Sequence, residues 1–303
     1  MNVGGQAVLE GVMMRSPGNW AVAVRTPAGS IAQVTRSIDS AMARHWYLRV
    51  PVVRGVVALG ESLAIGFRAL AISANYAAQE EGDETTEEPD KELSRGALIF
   101  AFAIAIGFAV ALFKVTPGLI TEALPIKSGG WFVIVEGLIR VSIFIAYLSL
   151  ISLLPDLRRV FEYHGAEHKA INAYEAGEEL EPETVQRYSL IHPRCGTAFL
   201  LWVMVIAVFV FAFFGRPAWY WLIVERIALL PFIAGLAYEL IRFAGRHQNR
   251  VVMTILAPGL WLQRLTTREP SLEQLEVSIR ALREVLQLEG ARDPATQRVE
   301  VMA

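Results

Sequence analysis

Four apolar runs, each near the length needed to cross a lipid bilayer, limit what this 303-residue chain can become. Ala97–Val115 (ALIFAFAIAIGFAVALFKV) is nearly uncharged. Trp131–Leu154 is longer but carries Glu136 and Arg140. Ala198–Phe214 is apolar throughout, and Ala218–Ile241 contains Glu225, Arg226, Glu239 and an internal Pro231. About 20 mostly apolar residues span the hydrocarbon as a helix, so the third run is at the short end. Only Gly215, Arg216 and Pro217 separate the last two runs, which predicts an antiparallel hairpin. The composition agrees: 54% hydrophobic and 19% charged residues fit membrane insertion rather than a soluble domain. A net charge of −2 argues against nucleic acid as a partner and leaves the lipid bilayer as the main one.

A fifth stretch, Val50–Ala78, is apolar but carries Arg54, Glu61 and Arg68 at seven-residue spacing, on one helical face. Three charges facing lipid would be costly, so it reads as an interfacial or re-entrant amphipathic helix rather than a span. The basic residues set the sidedness. With four spans, nine Lys and Arg fall in residues 1–96, five in 155–197 and nine in 242–303; the two opposite connections hold one each. Both termini and the 155–197 loop are therefore expected to face the cytoplasm. No basic segment followed by a long apolar core opens the chain, so no cleaved signal peptide is expected.

The fold class expected is a mainly α integral membrane protein. It has about four transmembrane helices, one interfacial or re-entrant helix, and a small cytoplasmic α+β portion. Residues 1–49 form a β-rich region, in which 20–37 alternate around Pro27-Ala28-Gly29-Ser30 as a hairpin, and GGQAVLEGVMMRSPG before it can add a short strand. Residues 50–78 are the amphipathic helix and 79–96 an acidic linker with eight Asp and Glu between positions 80 and 95. Residues 97–154 and 198–241 are two transmembrane hairpins flanking the 155–197 loop. Residues 242–303 hold a helix whose Leu272, Leu275, Ile279, Leu282 and Leu286 make one apolar stripe, with Ser271 and Gln274 placed as a capping box. That stripe packs inside the chain or serves as a homo-oligomer seam.

Chemistry concentrates in EYHGAEHKAINAYEAG, residues 162–177. A helix from about Asp156 to Ala176, stopped by Gly177, puts His164 and His168 one turn apart on one face. Two such imidazoles can chelate one divalent ion. His164-Gly165-Ala166-Glu167-His168 reads H-x-x-E-H, the inverted zinc-peptidase signature, in which the acidic residue is the general base. Gly165 weakens a helix, and those peptidases take a distant glutamate as third ligand. Here IHPRCGTAF offers His192 and Cys195 three residues apart. Four ligands would close a structural site; three would leave a catalytic position open. Zinc suits a mixed imidazole–thiolate set. Plain hydrogen bonding by the histidines, or a His192-assisted Cys195 nucleophile, are the rival readings. The sole cysteine excludes an internal disulfide. Glu162, Asn172 and Glu175 lie close by in sequence. Within the spans, Glu136 and Arg140 can pair or snorkel, and Glu225 with Arg226 accompany Pro231 in what reads as a proline-broken helix.

GGQAVLEGVMMRSP, YHGAEHKAINAYEAG, HPRCGTAF and LWLQRLTTREPSLEQLEVSIRAL together resemble the YqhQ-like family over residues 3–288. The resemblance implies a bacterial multi-pass inner-membrane protein of undefined function, in a group described as predicted metal-dependent enzymes. Three readings follow. The first is a cytoplasm-facing metal-dependent hydrolase, with His164, His168 and His192 or Cys195 holding zinc, Glu167 as base, and a small molecule or peptide as substrate. The second is an oligomeric channel, transporter or assembly module in which the cluster is a structural clip. The third is a scaffold presenting the hairpin and the last helix to a cytoplasmic partner.

Overall fold

The computed structural model describes residues 3–78, 95–126, 128–214, 219–247 and 249–290. The acidic linker, the 215–217 turn and the residues from 291 onward lie outside these. The described chain is mostly helical, with one antiparallel sheet at its beginning.

The sheet has four strands in sequence order: β1 Gly4–Val8, β2 Gly11–Arg15, β3 Asn19–Arg25 and β4 Ile31–Ser37. The expected hairpin is the β3–β4 pair, in register Val22↔Val34. The segment before it supplies two strands rather than one. The alternation in WAVAV is not apolar against polar but large against small, because both faces of the sheet are covered. Trp20, Val22 and Val24 pack with Val8, Met13, Ala32 and Val34 against helix α2 (Val53–Ala77), at Ile65, Ala69 and Tyr76. Ala21 and Ala23, with Val12 and Met14, face helices α6 (Pro155–Ala176) and α11 (Leu272–Gly290). Small side chains on that face let two helices approach closely.

Helix α11 uses its apolar stripe internally. Leu275, Ile279, Leu282 and Val285 are buried between the sheet and α6, while Leu272 stays exposed and Leu286 packs at the edge. Each such buried aliphatic side chain contributes about 1.5–3 kcal/mol relative to exposure. The capping box forms reciprocally, Ser271 N–H donating to Gln274 Oε1 (2.9 Å) and Gln274 N–H to Ser271 Oγ (3.2 Å). At the other end buried Glu289 accepts from Ser16 Oγ (2.7 Å) and Asn19 Nδ2 (3.3 Å), tying α11 to the β2–β3 turn.

Among the described residues, five helices are long and apolar enough to cross a membrane. One is α2. The others are α3 with α4 (Arg95–Val110 and Thr116–Glu122, joined through a π-turn at Ala111–Val115), α5 (Gly129–Ile151), α8 (Gly196–Phe214) and α9 (Trp219–Arg246). The chain is thus a membrane protein with a small sheet domain. The first run continues seven residues beyond Val115. Pro117 lies in the first turn of α4 and has no N–H to donate, and the carbonyl four residues back, Phe113 O, accepts instead from Arg140 Nε (2.9 Å). Helix α9 runs through Pro231 without interruption, so the expected break is absent from its backbone assignment.

Helix α2 is also unbroken, and two of its three charges have partners inside the protein. Arg54 makes a two-pronged ion pair with Glu239 of α9 (2.7 and 2.5 Å). Glu61 accepts from Ser40 Oγ (3.0 Å) and Ala41 N–H (2.9 Å), holding the short helix α1 (Ala41–Arg44). Its entry is strained: Val52 has φ 72° and ψ −53°, a region nearly closed to a β-branched residue. Gly55 and Gly235 let α2 and α9 touch backbone to backbone at this point.

Helix α10 (Arg250–Thr266), capped by Asn249, was not expected from the sequence. It packs along α8 through Leu256, Leu262 and Gly259 and ends beside α6. A four-residue helix, α7 (Pro182–Val185), completes the list of elements.

A candidate metal centre where the helices meet the sheet domain

Leu154 is the N-cap of α6, and Pro155 opens the helix one residue before the expected Asp156. At its other end Gly177 takes the left-handed conformation (φ 79°) and the Gly177 and Glu178 N–H groups return to Tyr174 and Ala173. One face of α6, with Tyr163, Ala166, Ala170 and Ile171, packs into the sheet core. The opposite face carries His164 and His168 toward the chain segment returning from residue 189 to α8.

Gly165, which costs helix stability locally, has a packing reason. A Cβ there would lie 2.1 Å from the carbonyl oxygen of Arg268, whose N–H also donates to Phe161 O (2.9 Å). The glycine lets the segment after α10 pass directly over α6. Gly5 plays a similar part in β1: a Cβ there would meet Glu167 Cγ at 2.7 Å.

His164 Nε2 lies 3.3 Å from Cys195 Sγ, and ligand atoms of His164, His168 and Cys195 all fall within 4.8 Å of one another. Both imidazoles are anchored from behind. His164 Nδ1 bonds Thr266 O (2.8 Å) and His168 Nδ1 bonds Leu190 O (2.5 Å). A carbonyl can only accept, so each Nδ1 carries the hydrogen and each Nε2 is left to a ligand or a proton. Such outer partners orient histidine ligands in metal sites. Cys195 stands just before α8, its carbonyl accepting from Phe199 N–H (3.3 Å) and its sulfur 3.2 Å from Thr197 Oγ1. A helix start favours the thiolate.

The electrostatics follow from this crowding. Burial alone would lower the His164 pKa, but the Cys195 sulfur, Glu167 and the Thr266 carbonyl reverse it and hold it at about 9. His168 is also raised, the Cys195 sulfur and Glu167 outweighing burial and the neighbouring His164. Burial would raise Cys195, yet the two imidazoles outweigh it and carry the thiol well below its usual value. Both shifts favour the thiolate–imidazolium form of the trio over thiol and neutral imidazole.

Glu167 is buried with Oε2 3.9 Å from His164 Nε2, beside the trio. His192 is buried too, but among the described residues it does not join the trio. Its Nε2 faces Glu175 Oε2 at 3.5 Å. His192 and Arg194 hold the Glu175 carboxyl at about 2. Asn172 spends its amide on the Ser189 and Ile191 carbonyls (2.8 and 3.1 Å), and Glu162 pairs with Arg158 and Gln274. These four candidates build the frame rather than the cluster.

Sequence reasoning missed the residues from α10. Gln263, fully buried, donates to His192 O (2.8 Å) and accepts from His192 N–H (2.9 Å), fixing the chain just before Cys195. The available signal was a lone amide inside an apolar helical stripe.

The charges of α5 lie elsewhere. Glu136 and Arg140 are buried (3% and 9% exposed) and paired, so neither snorkels. Arg140 Nε also donates to Phe113 O (2.9 Å), a carbonyl in the π-turn, and Lys114 lies 3.9 Å from Glu136. Glu225 is partly exposed on α9. The Arg226 side chain lies outside the described residues.

Fold and site together define a membrane protein with a buried two-histidine, one-cysteine cluster at the junction of its helices and its sheet. Residues 50–288 match a family model described as "Protein of unknown function (DUF1385)". The chain is 34% identical over 296 residues to a relative from Bacillus subtilis (strain 168) described as "Uncharacterized protein YqhQ", covering 95% of this chain and 93% of the relative. The chain belongs to this family of unknown function. No solved structure matches it.

Proposed function

We propose that this protein is a metal-dependent membrane hydrolase whose centre faces the cytoplasm, with His164, His168 and Cys195 as ligands of a zinc ion and Glu167 as general base. The observation that carries the reading is the pair of Nδ1–carbonyl anchors, which aim both Nε2 atoms at the Cys195 sulfur. Two imidazoles and a thiolate suit zinc, and three protein ligands leave a fourth position for substrate. When bound, the ion would supply Lewis-acid polarisation of a substrate oxygen. Glu167, buried and 3.9 Å from His164 Nε2, is placed to accept a proton from water and return it to a leaving group. Gly5 leaves room for its side chain beneath the sheet.

The sidedness rests on the excess of Lys and Arg in the segments that include the sheet domain and α6. Helix α2 is best taken as interfacial despite its length. From Glu61 onward it contacts the sheet domain, including Ser62 Oγ with Arg15 (2.5 Å), which cannot lie in hydrocarbon. Trp46 and Tyr47, exposed just before it, suit the headgroup layer.

A channel or transporter reading is favoured by one observation, the buried Glu136–Arg140 pair with half-buried Lys114 beside it within the helices. The scaffold reading loses one of its two faces, since α11 is buried against the sheet.

The test is a Glu167→Gln variant assayed beside the native protein against a panel of peptide, ester and phosphoester substrates. The variant should keep its zinc and lose turnover by roughly 100-fold or more. Equal turnover by both forms would remove Glu167 from the mechanism.

A further inference from the structure

Beside the cluster, on the other side of the Leu190 and Thr267 backbone, lies an open groove of about 410 Å³. Lys169, Arg264, Arg268 and Glu269 line it, with Leu190 and Ile191 as an apolar wall. The single carboxylate is already engaged: Glu269 pairs with Lys169 Nζ (2.7 Å) and accepts from Gln186 Nε2 (2.8 Å). Among the described residues, Arg264 and Arg268 make no side-chain hydrogen bond or ion pair. Two uncommitted guanidinium groups thus face one concavity with no acid left to neutralise them.

The groove's depth is readable from its neighbours. Arg264 is one turn beyond exposed Trp261 at the end of α10, and Ile191 precedes the start of α8 by five residues. Tryptophan marks the headgroup layer, so the groove opens at that level. Guanidinium forks match phosphate oxygens, and basic pockets at the cytoplasmic ends of transmembrane helices hold anionic headgroups. The volume suits a glycerophosphate-sized group. An apolar wall leading toward the helices favours a lipid over a free anion.

We propose that this groove is a binding site for the phosphate headgroup of an anionic phospholipid, separate from the metal centre and independent of whether metal is bound. The experiment is native mass spectrometry of the full chain in detergent. The probes are dioleoylphosphatidylglycerol, dioleoylphosphatidylcholine and inorganic phosphate, each offered alone. The native protein should retain the anionic lipid about 25-fold better than the zwitterionic one, and Arg264→Gln with Arg268→Gln should remove that preference, about fivefold per arginine. Arg264→Gln alone, at an exposed position, gives the smaller step if the double variant folds poorly. Arg280→Gln, exposed on α11 outside the groove, should change nothing. Equal retention of both lipids, retention that survives both substitutions, or inorganic phosphate binding as well as the lipid would each overturn the proposal.

Discussion

Two largely buried groups of ionisable side chains, each with one half-buried member, can be compared directly. In Lys114–Glu136–Arg140 each charge is answered by another or by a carbonyl: Arg140 takes Glu136 and Phe113 O, and Lys114 stands beside the same carboxylate. In His164–His168–Cys195 the hydrogen-bonding is arranged from outside. Thr266 O and Leu190 O take the Nδ1 hydrogens, and what remains is two Nε2 atoms and a sulfur gathered within 4.8 Å of one another. The first group satisfies itself; the second is preorganised for something that is not protein. Burial of charge alone does not distinguish a site from a helix clamp, whereas the direction of the unshared lone pairs does.

That contrast predicts separable failures. Glu136→Ala should leave Arg140 buried without its carboxylate and cost about 3–5 kcal/mol, read as a fall in unfolding midpoint in detergent, while zinc content stays unchanged. If zinc is lost from protein that remains folded, the two groups are coupled and the contrast is wrong. Gln263→Leu removes both bonds to the His192 backbone and should weaken zinc by about 10- to 100-fold, measured by chelator competition, with a smaller effect on stability. An unchanged affinity would mean that Cys195 is positioned without α10.

The pH dependence sharpens the comparison further. His164 is held at about 9, above its usual value, so it must give up a proton before it can ligate at neutral pH. Zinc affinity should therefore rise by about tenfold per unit as pH increases from 7 and level off only near 9. The metal-free protein behaves in the opposite sense. A raised histidine contributes stability that is fully present below its ordinary value near 6.5 and is lost as pH rises through about 9. An affinity curve that levels off near 6.5 would show an ordinary imidazole. The smallest effect belongs to a position remote from both groups: Ser271→Ala breaks the α11 capping box and should cost about 1 kcal/mol with no change in zinc affinity.

Much of this was legible in the chain before its coordinates, and the exceptions have physical causes. The apolar runs, the β3–β4 hairpin, the Gly177 stop and the Ser271 cap are local patterns, and each formed near where its residues indicated. Helix α10 was hidden because Pro258 and Gly259 interrupt its apolar stripe. His192 looked equivalent to Cys195, being only three residues away. Its imidazole instead faces Glu175, which Arg194 also pairs with, a preference set by packing between distant segments. Gly165 seemed a defect in a helix until the Arg268 carbonyl was seen to cross it. Long-range contact, not propensity, decided each of these.

The central claim is that two imidazoles and one thiolate from α6 and the start of α8 make a metal centre. X-ray absorption at the zinc edge on protein purified without chelator tests it most directly. One zinc per chain is expected, with about one sulfur at roughly 2.3 Å and two nitrogens at roughly 2.0–2.1 Å in its shell. Cys195→Ser should erase the sulfur signal, and His164→Ala with His168→Ala should erase the metal. Protein that carries no metal, or a zinc shell unchanged by Cys195→Ser, would contradict the assignment.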